Sequence, residues 1–383
     1  MSTLPTQPAS APIVSDESGK GSKKATLSGA VADPSVREIR AHMPEDRRDK
    51  STLVGTLLFL NTTLLYSAAF IGIAAAPNWF LKTLLSVMSG VLISILFTIG
   101  HDACHQSLTP KNGLNKFLGR LAFLPSLHSF TAWDYKHNSL HHSYTNLRGR
   151  DPVYAPFSKA EYDALPYWRR GLERFYRSPL GVGMFYFVEA WWKQIMFPSH
   201  TDQVKMRTPK TFQMDRLLVF GFFLAQIVVL LSLDHQFHPA SAASPVYVLS
   251  LIAVGIVLPQ VVWNWLMGFA TFQHHTHPGT RWYADEQEWS FFKGHLQGTV
   301  HVKFPRFIEV MLHNIMDHTA HHVDPRIPLY KLTASQEGLE KAYTEDIIVQ
   351  VWNLREFFNT MRRCRLYDYK NHHWLDFDGK TTT

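Results

Sequence analysis

The stretch LKTLLSVMSGVLISILFTIGHDACH, residues 81–105, decides how the chain is read. From Leu81 to Gly100 it is apolar but for Lys82, and such a run crosses the hydrocarbon core of a bilayer as a helix. Its end carries His101 and His105, four residues apart and so on one helical face. An apolar span thus finishes on two imidazoles, the side chain most often found on a metal ion.

Three further apolar runs lie outward from it, Leu53–Ala76, Leu217–Leu233 and Val246–Ala270. Four crossings in two hairpins are expected, at about 53–76, 81–100, 217–233 and 246–270. Helices buried in a soluble core would not run so far without charge. Charged residues are 18% of the chain and hydrophobic ones 46%, an unusual balance for a soluble protein. The short connections Pro77–Phe80 and Asp234–Pro245 hold no Lys or Arg, so the positive-inside bias places both termini and both long segments in the cytoplasm. The net charge of +7 then reflects topology and anionic headgroups, and no nucleic-acid partner is expected.

The 21 histidines come in knots. After HDACH come HNSLHH (His137, His141, His142), HHTH (His274, His275, His277) and HNIMDHTAHH (His313, His318, His321, His322). The first knot begins where the second crossing ends and the third where the fourth ends. Two crossings separate them, so all four knots can meet on one face. Eight or more converging imidazoles exceed the needs of one ion and point to two. A nitrogen-rich, carboxylate-poor pair suits iron and dioxygen. A zinc peptidase would leave most of these rings unexplained.

Asp102, Asp134, Asp151, Asp317 and Asp324 lie in or beside the knots and are candidates to orient the rings. Asn264, Gln273 and Asn314 are candidates to hold a bridging water. Cys104 falls off the face shared by His101 and His105 and reads as packing; with Cys364 it forms no disulfide in a reducing compartment. His128, His200, His235, His238, His295, His301, His372 and His373 read as surface residues without a metal role.

Residues 1–45, rich in Ser, Ala and Pro, are expected to be disordered, with no signal peptide. Residues 46–335 form one membrane domain. Within it Leu180–Pro198, interrupted by Glu189 and Lys193, is expected to lie in the membrane interface. Residues 336–383 read as a cytoplasmic helix near Gln336–Arg365 and a polar tail. The expected fold is an all-α integral membrane protein with four transmembrane helices and a cytoplasmic helical cap.

HDACH, HNSLHH and HTAHH (His318–His322) together resemble the three histidine boxes of the membrane-bound fatty acid desaturases. FQHHTHP and HNIMDHTAHHVDPRIPLY resemble the acyl-lipid omega-6 and omega-3 branch in particular, and the likeness covers roughly residues 50–335. It implies metal ligands at His101, His105, His137, His141, His142, His318, His321 and His322, with no catalytic residue apart from the ligands. A ninth comes from the third knot, at His275 if the THP endings are aligned, with His274 the alternative. His277, His313, Asp102, Asp317 and Asn314 are further candidates as ligands or their supports. The second box departs from the commoner HxxHH by one added residue.

The implied reaction places a cis double bond in an acyl chain, of the delta-12 or omega-6 type, at two iron ions cycling between Fe2+ and Fe3+. The implied partners are an acyl lipid, dioxygen, and a ferredoxin- or cytochrome b5-type electron donor with its reductase. That donor is expected on the basic cytoplasmic face, with the Lys and Arg residues of 359–370 contributing. An acyl tunnel lined by Trp133, Trp263 and Trp265 is expected, in the inner membrane of a bacterium. The alternatives are a hydroxylase or ketolase of the same superfamily acting on alkane, sphingoid or carotenoid chains, and a non-enzymatic metal-binding or transport protein. Transport would place ionisable groups inside the spans, which hold almost none.

Overall fold

The structure, a computed structural model, describes residues 33–206, 208–240 and 244–383. Among them four helices are long and apolar enough to cross a membrane: Thr52–Ala75, Trp79–Cys104, Pro209–Phe237 and Pro245–His275. Each starts for a local reason. The Ser51 side chain accepts from the Val54 amide and that of Asn78 from the Leu81 amide. Pro209 and Pro245 stand at the start of their helices, where a missing N–H costs nothing. The helices outrun the apolar segments, since backbone pairing continues past the hydrocarbon boundary. The fourth span widens over Ala253–Val257, where the Leu258 amide bonds back to Ala253. The wide turn lies just ahead of Pro259, whose ring would strike the preceding turn of a regular helix.

The second span packs against both the first and the fourth, and the third packs on the first. At Gly90 the second span meets the fourth so closely that a Cβ would lie 2.6 Å from Val262 Cβ. Further along, Phe97 sits among Phe123, Trp133 and Trp263, with ring centroids 4.7, 4.8 and 4.6 Å away.

Lys82, the one charge in its apolar run, is buried. Its Nζ donates to Ile73 O (2.8 Å), Ala74 O (3.0 Å) and Asp234 Oδ1 (2.9 Å), and Tyr247 Oη donates to the same oxygen (2.9 Å). Lys82 thus caps the open carbonyls of the first span and binds the second to the third, while Tyr247 adds the fourth. This knot is about 28 Å along the helix from His101.

Three expectations need correction. The chain is mostly helical but not all-α: Val300–Lys303 pairs in parallel with Ile348–Val351, and Leu366–Asp368 antiparallel with His373–Leu375. The segment Gln336–Arg365 is therefore not one helix. It is Leu332–Ala342, a β-branched strand and Leu354–Arg363, and the polar tail folds back so that Trp374 Nε1 donates to Thr280 O. At the other end, residues 1–32 of the expected disordered segment lie outside the described residues, but residues 33–45 are structured. Val36–Ala41 is a helix with a reciprocal Ser35–Glu38 cap, and Ile39 and Met43 are buried against Ala320, Val323 and Leu339. The segment 180–198 forms the helix Gly181–Phe185 and a π-helix, Tyr186–Met196, packed on the fourth span.

Because removing one partner strands a buried charge, Lys82→Met is expected to destabilise the protein by about 3–5 kcal/mol. Lys82→Met combined with Asp234→Leu should recover much of that loss. Unfolding of the purified protein in mixed micelles measures both, and additive losses would contradict the pairing.

Candidate metal centre

Two knots reach the site from the ends of membrane helices, His101 and His105 from the second and His274 and His275 from the fourth. The fourth knot lies on the short helix His318–Val323. The second knot occupies a π-helix, Asp134–His141, in which the His142 amide bonds to His137 O, five residues back, at 2.9 Å. That wide turn absorbs the extra residue of HNSLHH. His137 and His142 come to share one face while His141 turns to its neighbour.

The histidines gather into two groups. His101, His105, His137, His142 and His321 form one; His141, His275, His318 and His322 form the other. Within each group one donor nitrogen per residue lies within 4.8 Å of all the rest. In the first, the Nε2 atoms of His101 and His137 are 2.7 Å apart, and His142 Nε2 is 3.1 Å from both His137 Nε2 and His321 Nε2. In the second, the Nε2 atoms of His275 and His318 are 3.0 Å apart. Two donors about 2.1 Å from one ion and at right angles would be about 3.0 Å apart. The spacings therefore suit one ion per group. Burial, reinforced by the neighbouring rings, holds His137, His142, His318, His321 and His322 far below the usual imidazole range. They are neutral at physiological pH, the form in which imidazole binds metal.

The far sides of two rings are tied down. His141 Nδ1 meets Asp151 Oδ1 at 2.9 Å, which turns Nε2 toward the group. His322 Nδ1 lies 3.1 Å from Thr145 Oγ1, whose hydroxyl also donates to His141 O, leaving His322 Nε2 with no protein partner. Thr145 escaped the sequence reading; its only signal is a position one turn after His141. Trp133 stacks on His137 at 4.7 Å.

All nine histidines singled out by the resemblance fall in these groups, and the remaining candidates do not. His274 stacks on His318 with centroids 3.7 Å apart, and its Nε2 lies 3.0 Å from Met316 Sδ. His277 accepts from the Gly279 amide within a turn. His313 and Asn314 are in left-handed backbone, and Asn314 bonds Arg306. Asp102 accepts from Ser107, Asp134 from Asn138, and Asp324 from Arg47 and Arg48. Gln273 is buried with both amide atoms unpartnered, and Asn264 with its oxygen so. Cys104 is buried near Asp134 and belongs to neither group.

Three histidines expected at the surface are in fact buried: His128, His295 and His301. His128 bridges Ser126 O and Tyr186 Oη. His295 Nε2 meets His142 O at 2.9 Å and steadies the second knot. His301 sits between Glu340, facing Nδ1, and Asp317, whose Oδ1 is 3.0 Å from Nε2. Burial opposes its charge, but the two carboxylates prevail and push it up to about 9.

A small cavity of about 50 Å³ lies beside the centre. It touches His137 of one group and His141 of the other, and its walls include Trp133, Tyr154, Phe185, Tyr186, Ile195 and Met267.

His275→Ala should lower metal content in the purified protein, while His274→Ala should leave it closer to the parent value; the reverse order would exchange their roles. His301 is raised from 6.5, so its contribution is complete below about pH 6.5 and is lost as pH rises through about 9. The gap in unfolding temperature between the parent and His301→Gln should be several degrees at pH 6 and close by pH 10.

Residues 77–352 match the family described as fatty acid desaturase. The chain is 27% identical to an omega-6 fatty acid desaturase, chloroplastic, of Spinacia oleracea, over 90% of this chain and 72% of that protein. It is 27% identical to the sn-1 oleoyl-lipid 12-desaturase of Synechocystis sp., over 88% and 90% respectively. A protein of the same description from Arthrospira platensis is 30% identical over 69% of each chain. With a match that spans most of the chain, three of the four apolar helices and all four histidine knots, the protein belongs to the fatty acid desaturase family.

Proposed function

We propose that this chain is an acyl-lipid desaturase of the omega-6, 12-position type that introduces a cis double bond at a di-iron centre. The observation that carries the reading is the apolar cavity touching one histidine from each group. A chain methylene held there faces both groups at once. The relatives' names, omega-6 and oleoyl-lipid 12-desaturase, supply the substrate class and the bond position.

His101, His105, His137, His142 and His321 would hold one iron and His141, His275, His318 and His322 the other. The all-imidazole donor set and the unpartnered His322 Nε2 fit that role. Bound there, the irons supply the redox chemistry that lets dioxygen act on an unactivated C–H bond. The overall balance is one dioxygen, two electrons and two protons, with two hydrogens taken from the chain, giving one double bond and two waters. The protein's own share is position and exclusion. Asp151 and Thr145 fix the rings of His141 and His322, Trp133 fixes His137, and Tyr186 and Phe185 give the cavity apolar walls.

In this reading the four spans form two hairpins, both termini and the histidine cap lie in the cytoplasm, and the protein resides in a bacterial inner membrane. The distribution of Lys and Arg supports that topology. An external donor of the ferredoxin or cytochrome b5 type, with its reductase, delivers the electrons.

Expression in a host lacking polyunsaturated lipids, followed by analysis of fatty acid methyl esters with double-bond location, tests this directly. A new diene is expected from the parent and none from His318→Ala. A hydroxylated or keto product would favour a hydroxylase or ketolase, and identical lipid profiles for both proteins would sink the enzymatic reading.

A further inference from the structure

The parallel strands Val300–Lys303 and Ile348–Val351 each run into a helix, Arg306–Met311 and Leu354–Arg363. Because the strands are parallel, both helices leave the same end of the pair. There the structure exposes Phe307, Val310, Met311, Val351, Leu354 and Phe358; Phe307 is 73% exposed and Leu354 59%. Helices outside the spans that expose so much apolar surface need a partner.

The inward side of this unit locates it. Phe357 packs on Phe269 of the fourth span with centroids 5.2 Å apart, Trp352 lies 6.2 Å from the same ring, and Phe304 stacks on Trp352 at 5.2 Å. Phe269 is the penultimate residue of the apolar run 246–270, about 9 Å along the helix before His275. The unit is therefore tied to the fourth span where hydrocarbon gives way to headgroups. Lys303, Arg306, Arg355 and Arg362 are exposed around the apolar residues, the arrangement of a helix lying in an anionic interface.

We propose that Arg306–Met311 and Leu354–Arg363 form a paired interfacial anchor that dips into the leaflet on the histidine side of the membrane. It is fastened to the fourth span through Phe357 and Phe269, and its occupant is a bilayer bearing anionic lipid. The anchor rests on the membrane reading of the four spans but not on the reaction.

Phe307→Cys and Phe358→Cys, each labelled with an environment-sensitive fluorophore in nanodiscs of mixed neutral and anionic lipid, report its depth. Both native cysteines are buried, so the introduced thiol is the one labelled. A nitroxide on carbon 5 of the lipid chain is expected to quench both sites several-fold more than a water-soluble quencher. A label on Glu286→Cys, in an exposed polar loop, should show the opposite order. Stronger aqueous quenching at 307 and 358 would overturn the anchor. So would self-quenching that grows with the number of protein copies per disc, which would assign the face to a second copy. Quenching is read without catalysis, so an inactive but folded protein leaves this result standing and bears only on the proposed reaction.

Discussion

Nitrogen lone pairs that face one another at about 3 Å repel unless a proton or a cation stands between them, and the fold holds both histidine groups at that spacing. A neutral imidazole carries one N–H and can satisfy one such contact. His142 Nε2 has two, to His137 and His321, and His137 Nε2 has a second, to His101. Protons cannot serve the whole chain of contacts while the rings stay neutral, but one cation can. Each histidine-bearing element is accordingly anchored outside the centre. The Phe97 cluster holds the second span to Trp133, and Asp151 holds His141. Arg40 donates to Val323 O and Arg47 and Arg48 to Asp324, closing the end of the helix that carries His318, His321 and His322.

The Lys82–Asp234 pair answers the same need from the far side. Charge inside a membrane span is costly, and this pair survives because all three N–H donors of Lys82 are used and Asp234 Oδ1 accepts from both Lys82 and Tyr247. It joins four helices at one end, so their other ends cannot slide independently. A displacement of one residue along a span is about 1.5 Å, half the separation between neighbouring donor nitrogens. Register at Lys82 is thus register at His101.

The spans are legible in the sequence because an apolar run of bilayer length seldom arises in a chain that stays in water. The knots are legible because spacing on a helix puts rings on one face. What escapes a sequence reading depends on contacts between distant segments. Nothing near Lys82 names Asp234, 152 positions later. His295 and His301 look like surface residues until His142 O and the pair Asp317 and Glu340 arrive around them. The strand Ile348–Val351 passes for helix because its alternation is only four residues long and its partner is Val300–Lys303. Ile39 lies in a segment whose composition suggests disorder, yet Ser35 and Glu38 already spell a helix start.

The second box shows how a departure from a motif can preserve its geometry. One added residue in a regular helix rotates all that follows by about 100°, enough to turn His141 and His142 away from their groups. The chain instead widens the helix over Asp134–His141, so the insertion becomes a bulge rather than a rotation. The widening separates His141 from His142 and lets adjacent residues serve different groups, with His142 edge-on to His321 at 4.8 Å and His141 edge-on to His275 at 4.6 Å. Straightening that turn, by deleting Asn138 or Ser139, would restore the commoner spacing on paper. Forcing the full insertion into a regular helix would instead turn His141 and His142 away from their groups. The irregular turn is therefore part of the centre.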